Sequence, residues 1–285
     1  PDGRTIAYRS QARAGFEADL WRLMLYDRAS GKHAVLNEKF DRSVEHVVWS
    51  PDSKTIYFDA EDRAEKPVYV VSATAGAEPR QILPDTYNSD ISLSSDGRAL
   101  AFTRQNLTTP AEVFVASSDG SNVKQLTQLN AALLAKLALH AAEKFWFAGA
   151  EGTQVMGMLV KPPAFDATKK YPLVLVAHGG PQTMWSNAWC YRWNPQMFAA
   201  PGYIVLLINR RGSTGFGQKF TDEISGTYGT KDFEDLMKGV DFALGKYPFI
   251  DGNRMAAAGA SFGGFMMNWF ASQARGRFKA IVTHA

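Results

Sequence analysis

Gly259-Ala260-Ser261-Phe262-Gly263 sets a serine between glycines two residues before and two residues after it. Ahead of it, Met255 to Ala258 is apolar and short enough for a buried parallel strand; behind it, Phe265, Met266, Trp269 and Phe270 recur at helical spacing. A strand, a sharp turn and a helix in that order hold a seryl oxygen out where a substrate carbonyl can meet it. The glycines let the two backbones crowd together. The chemistry implied is acyl transfer with Ser261 as nucleophile. The plainer alternative is a glycine-rich strand-to-helix turn with an inert serine.

Acyl transfer builds an oxyanion that fixed donors must meet, one from the amide after the nucleophile and one from a glycine-rich loop after an earlier strand. Tyr171-Pro-Leu-Val-Leu-Val-Ala-His-Gly-Gly-Pro181 is an apolar strand running into such a loop. The donors expected here are the amides of Phe262 and Gly180. Alone, Gly179-Gly180-Pro181 is only a turn signal; two strand and helix pairs ahead of the serine motif, it fits the anion site. The general base and its acid are harder to place. Enzymes with this elbow take both from later in the chain, and no Asp or Glu follows Ser261. His284 ends the next strand with no acid between to orient it, which favours a structural role. The sequence therefore reads as a hydrolase cut short before its acid and histidine, expected to be inactive as it stands.

The elements that would position these residues divide the chain into an expected region 1–130 and a second, 131–285. In the first, Pro1-Asp-Gly-Arg, Ser50-Pro-Asp-Ser-Lys and Ser94-Ser-Asp-Gly-Arg each precede an alternating strand, with Asp2, Asp52 and Asp96 spaced 50 and 44 residues apart. That period belongs to propeller blades. After each copy come a second strand, a polar turn and a short apolar strand ending near Leu36, Leu83 and Leu126, the order of a four-stranded blade. About three blades fit, so the fold expected is a partial β-propeller, C-terminal blades only, followed by an incomplete α/β-hydrolase domain lacking its last strands. In the second region the reading gives strands near 154–161, 172–177, 203–208, 254–259 and 279–283, and helices near 186–199, 231–245 and 262–274. Residues 131–144 fit helix or extended chain equally well.

A net charge of +3 with interspersed signs argues against nucleic acid as a partner. No run of 18 apolar residues is present to span a membrane. The single Cys190 excludes an internal disulfide but leaves the compartment open. Asp232, Glu234 and Asp235 share one helix; they fit metal binding less simply than a charged helix start and a partner for Arg210 or Arg211.

Taken together, the Ser-Pro-Asp repeats, His178-Gly-Gly-Pro181, Asn209-Arg-Arg-Gly-Ser-Thr-Gly-Phe-Gly217 and Gly259-Ala-Ser-Phe-Gly-Gly264 resemble the prolyl oligopeptidase-type serine peptidases. Tyr191-Arg-Trp-Asn194 and Ile224-Ser-Gly-Thr-Tyr-Gly229 look most like its dipeptidyl-peptidase and acylaminoacyl-peptidase branches. The resemblance implies a propeller-capped α/β-hydrolase that cleaves short peptides near their N-terminus without cofactor or metal. Ser261 would be the nucleophile, Phe262 and Gly180 the oxyanion donors, and the acid and histidine would lie beyond residue 285. His178 stands where some relatives carry a tyrosine that serves the oxyanion, a departure that puts the weight on Gly180. A periplasmic or secreted setting is implied by resemblance alone. Rival readings are an acylaminoacyl-peptidase or carboxylesterase of the same fold, and a non-catalytic propeller scaffold.

Overall fold

Side-chain-closed turns explain the aspartate repeat. In the computed structural model, which describes residues 1–284, Ser50 Oγ donates to Asp52 Oδ1 at 2.6 Å and accepts the Thr55 amide at 2.9 Å. Ser94 and Asp96 repeat the arrangement at 2.6 Å, with the Ala99 amide on Ser94 Oγ. These short hydroxyl and carboxylate bonds satisfy turn amides locally, so the chain enters the following strand already reversed.

The strands that follow form three antiparallel sheets. The first holds β1 (Thr5–Ser10), β2 (Arg22–Asp27) and β3 (His33–Val35). The second holds β4 (Val44–Trp49), β5 (Thr55–Ala60), β6 (Val68–Ser72) and β7 (Arg80–Leu83), paired in chain order. The third holds β8 (Tyr87–Leu93), β9 (Ala99–Asn106), β10 (Thr109–Ser117) and β11 (Lys124–Gln125). Buried Leu23, Leu36, Val44, Ile56 and Phe58 join the first sheet to the second. Tyr57, Val68, Leu83, Leu100 and Phe102 join the second to the third. Alternate strand residues thus form face-to-face cores.

The chain divides into two units. The first comprises Pro1–Leu134 with two short excursions, Ser186–Trp189 and Gly215–Gln218. Residues 131–144, open between helix and extended chain in the sequence, give a single helical turn, α1 (Ala131–Leu134), then irregular chain, and from Glu143 an extended strand.

The second unit is built on a six-stranded sheet. Its strands are β12 (Glu143–Ala148), β13 (Gln154–Val160), β14 (Tyr171–Ala177), β15 (Ile204–Asn209), β16 (Ile250–Ala260) and β17 (Ala280–His284), in spatial order β12-β13-β15-β14-β16-β17. β12, β13 and β15 pair antiparallel, and the rest pair parallel. Every residue of β15, and all of β14 from Leu173 on, is buried, which is why these strands read as unbroken apolar runs. The helices are α2 (Pro195–Ala199), α3 (Gln218–Asp222), α4 (Lys231–Lys246) and α5 (Phe262–Gln273).

One expected helix is largely absent. Of residues 186–199 only Pro195–Ala199 is helical, started by Asn194, whose side chain accepts from the Gln196 amide. Upstream, non-local hydrogen bonds hold the chain: the Asn187 amide donates to Ala64 O at 2.6 Å and its side chain to Glu65 at 3.0 Å. Tertiary hydrogen bonds override helix propensity here.

Candidate active site

The parallel pairing of β14 with β16 runs to Ala177 opposite Gly259, so the loops after both strands leave the sheet side by side. β14 is also where the strand order turns, with β15 on one side and β16 on the other, and crevices at such points, beyond the strands' carboxyl ends, are where ligands bind. Both sequence motifs sit there.

Ser261 occupies the turn between β16 and α5 with φ 55° and ψ −122°, a conformation side chains disfavour. Its amide donates to His284 O at 2.8 Å, its carbonyl accepts the Phe265 amide, and its exposed hydroxyl bonds to no described residue. Close approach dictates the flanking glycines. A Cβ on Gly259 would collide with Gly263 O, and one on Gly263 with Ala177 O.

The glycine loop meets this turn. A Cβ on Gly179 would lie 3.3 Å from Ser261 Cβ, so Gly179 is the residue packed on the serine. Gly180, next along, has φ 107°, and a Cβ there would sit 2.5 Å from Gln182 N. The amides of Gly180 and Phe262 donate to no described residue, and Phe262 is the first residue of α5, where helix amides lack internal partners. Two unpaired amides thus belong to the segments that meet at a free hydroxyl, and amides of that kind are the donors acyl transfer uses.

His178 faces away from this chemistry. Its ring is buried, with Nε2 2.9 Å from Ser213 Oγ and Nδ1 2.8 Å from Gly179 O and 3.1 Å from Thr183 Oγ1. Burial, and then the charge of Arg210, hold it well below its ordinary pKa. Both ring nitrogens are thus held, Nε2 by Ser213, which donates to Arg210 O at 2.6 Å, and Nδ1 by Gly179 and Thr183. Ser213 lies within the Asn209–Gly217 motif, which gives it no role, and Thr183 belongs to no motif.

His284 reaches Ser261 through its backbone carbonyl. Its ring lies edge-on to Trp193 at 6.4 Å between centroids and makes no hydrogen bond to the Ser261 hydroxyl. Among the described residues, none hydrogen-bonds Ser261 as a base would.

The paired arginines divide their roles. Arg211 forms a fork with Asp235, Nε to Oδ2 at 3.0 Å and Nη2 to Oδ1 at 2.9 Å, both side chains fully buried. Nη1 reaches Glu223 at 3.1 Å, and Nη2 also donates to Ala150 O. Burial opposes the Arg211 charge, but Asp235 and Glu223 outweigh it and raise its pKa. Asp235 is therefore a clamp for Arg211. Asp232 accepts the Gly229 amide at 3.2 Å, and Glu234 pairs with Lys238 at 2.9 Å on the exposed face of α4. The three carboxylates thus serve separate partners. The acid and histidine group found in the described residues, Glu45, His46 and Asp59 in the first unit, has the Lys66 ammonium 3.7 Å from Asp59. A resident cation already occupies it.

Comparison with known proteins follows the same lines. Residues 189–285 match the prolyl oligopeptidase family. Over its whole length the chain is 38% identical to dipeptidyl-peptidase 5 of Porphyromonas gingivalis, covering 41% of that protein. It is similar, with a TM-score of 0.84 and 25% identity, to an uncomplexed acylaminoacyl peptidase of Pyrococcus horikoshii, over 99% of this chain and 43% of that one. Dipeptidyl peptidase 4 of Porphyromonas gingivalis shares the fold, with a TM-score of 0.77 and 21% identity over 99% of this chain and 40% of that one. The chain thus spans about two fifths of the length of these relatives.

Proposed function

We propose that this chain, whose residues 189–285 match the prolyl oligopeptidase family, contributes the nucleophile and anion site of a serine peptidase that releases dipeptides from the N-terminus of short peptides. We read its three antiparallel sheets as propeller blades and its mixed sheet as α/β-hydrolase. The observation that carries the reading is the Ser261 turn: a strained serine with an unengaged hydroxyl, packed against Gly179, with unpaired amides on the next residue of each segment, Phe262 and Gly180.

The chemistry follows from that arrangement. As a general base takes the hydroxyl proton, Ser261 Oγ bonds to the scissile carbonyl carbon and the carbonyl π pair moves to oxygen. The amides of Phe262 and Gly180 hold that oxyanion. The base then gives its proton to the departing amine as the C–N bond breaks, leaving an acyl ester on Ser261. Water, deprotonated by the same base, adds to the ester and returns the serine hydroxyl. The similarity to dipeptidyl-peptidase 5 supports release of dipeptides, whereas that to acylaminoacyl peptidase favours removal of a capped residue.

The test uses the protein as its gene encodes it. A fluorophosphonate probe should label Ser261, and hydrolysis of a dipeptidyl chromogenic amide with a free amine should exceed that of an N-acetylated aminoacyl amide and of a short-chain ester. Ser261→Ala should abolish both labelling and turnover. Turnover unchanged in Ser261→Ala would remove the serine from the reaction, and preference for the capped amide would move the enzyme to the acylaminoacyl class.

A further inference from the structure

Arg210 is a buried cation that the fold satisfies poorly. Its side chain is fully buried, as is that of Arg211, but the two are treated differently. Arg211 is matched by Asp235, Glu223 and a carbonyl. Arg210 has no carboxylate within hydrogen-bonding reach. Its Nε and the buried Oδ1 of Asp232 both lack a partner. Burial lowers its pKa to about 10 against the attraction of Asp232 and Asp235, so it stays charged near neutral pH. An arginine kept only for packing would be better replaced by an apolar side chain of similar volume.

What Arg210 does touch are the two halves of the candidate anion site. Nη2 donates to the carbonyl of His178, at the start of the glycine loop, at 3.3 Å. Its Cζ lies 4.7 Å from the centre of the Phe262 ring, the side chain of the residue after Ser261. Tyr228 packs edge-on to Phe262, their centroids 4.9 Å apart. The Arg210 carbonyl also accepts from Ser213, which holds the His178 ring. Nη1 donates to Arg211 O at 3.1 Å; a Cβ on Gly212 would collide with the Ile224 side chain and come within 3.3 Å of Nη1.

We propose that Arg210 is a positioning residue for the reaction, tying the His178–Gly180 turn to the first residue of α5 so that the amides of Gly180 and Phe262 keep a fixed spacing. The proposal rests on the serine peptidase reading above. Preorganised donors stabilise an oxyanion because they need not reorient as charge develops. Arg210 grips both donor segments from below without touching substrate. Its effect therefore belongs to the tetrahedral state, whereas ground-state substrate binding is left alone.

The test is Arg210→Met and Arg210→Lys in the gene-encoded enzyme, with dipeptidyl amide turnover, binding of a dipeptidyl boronic acid and thermal unfolding measured together. Removing one oxyanion donor outright costs about 10² to 10³ in kcat, so loosening two should cost roughly tenfold or more. We expect Arg210→Met to lower kcat by that factor with KM within about twofold, and to weaken the boronate, whose adduct is tetrahedral and anionic, by a similar factor. Its Tm should hold or rise, because a buried charge is gone. Arg210→Lys keeps the charge but loses the planar stack on Phe262, and should fall between the two. Normal kcat and boronate affinity in a folded Arg210→Met, with Ser261 still essential, overturn the Arg210 role alone. If Arg210→Met does not fold, full kcat in Arg210→Lys overturns it equally. Full turnover in Ser261→Ala overturns the peptidase reading, and this proposal with it.

Discussion

Ser261→Gly should make the protein more stable than Ser261→Ala, the reverse of the usual order of these residues. Ser261 holds φ 55° and ψ −122°, the conformation of the first central residue of a type II′ turn, where glycine is favoured. Such a backbone costs a residue with a Cβ about 1–3 kcal/mol. Glycine removes that cost but makes the unfolded chain freer, by about 0.4–1 kcal/mol. The hydroxyl bonds to no described residue and does not cap α5, so both variants lose the same small amount there. The net expectation is Ser261→Gly above Ser261→Ala by about 1 kcal/mol, or about 2–4 °C in Tm for a unit of this size. Thermal and urea unfolding of both variants beside wild type measure it. Equal stability, or the alanine variant more stable, would refute the strain at this turn, whatever the fate of activity.

The Arg211–Asp235 fork should behave as a buried pair: Asp235→Ala removes the bidentate partner of a buried guanidinium and leaves it to Glu223 at one nitrogen, and should cost about 3 kcal/mol, read as a lowered urea midpoint. His178 should make stability fall with acidity, since its folded pKa is depressed by burial and by Arg210. As pH drops through about 6.5 the unfolded chain takes up a proton that the folded ring refuses, and stability declines by at most about 1.4 kcal/mol per pH unit until the folded value is reached. Stability is therefore fully present above that window. His178→Gln should flatten the decline between pH 7 and 5; an identical slope in the variant would show that the ring takes up its proton without penalty.

Much of this was legible in the chain because its causes are local. Gly259, Ser261 and Gly263 lie within one turn, so their spacing reports directly on a steric need, and the Ser-x-Asp turns are closed by atoms two to five residues apart. β14 and β15 are visible because burial on both faces leaves no polar alternation. The misreading of residues 186–199 has the opposite origin, since the groups holding Asn187 lie at Ala64 and Glu65. Nor could sequence alone divide the arginines. Asp232 and Asp235 are equivalent partners on paper, and only the placement of α4 beside the end of β15 gives Asp235 to Arg211 and leaves Arg210 under Phe262. That Gly179, rather than Gly180, is packed on the serine likewise needs the register of β14 on β16.

That register bears on how the protein comes to be folded. The Ser-x-Asp turns close over a handful of residues and can form while the rest of the chain is still a coil. The Ser261 turn and the glycine loop meet only when β14, its first neighbour β15 and then β16 have zipped in parallel, across connections that carry α2, α3 and α4. Pairings so distant along the chain pay their loop-closure entropy before any contact repays it. Refolding followed at the aromatics of the first three sheets should therefore run ahead of refolding followed at the Ser261 turn, which should be among the last features to appear.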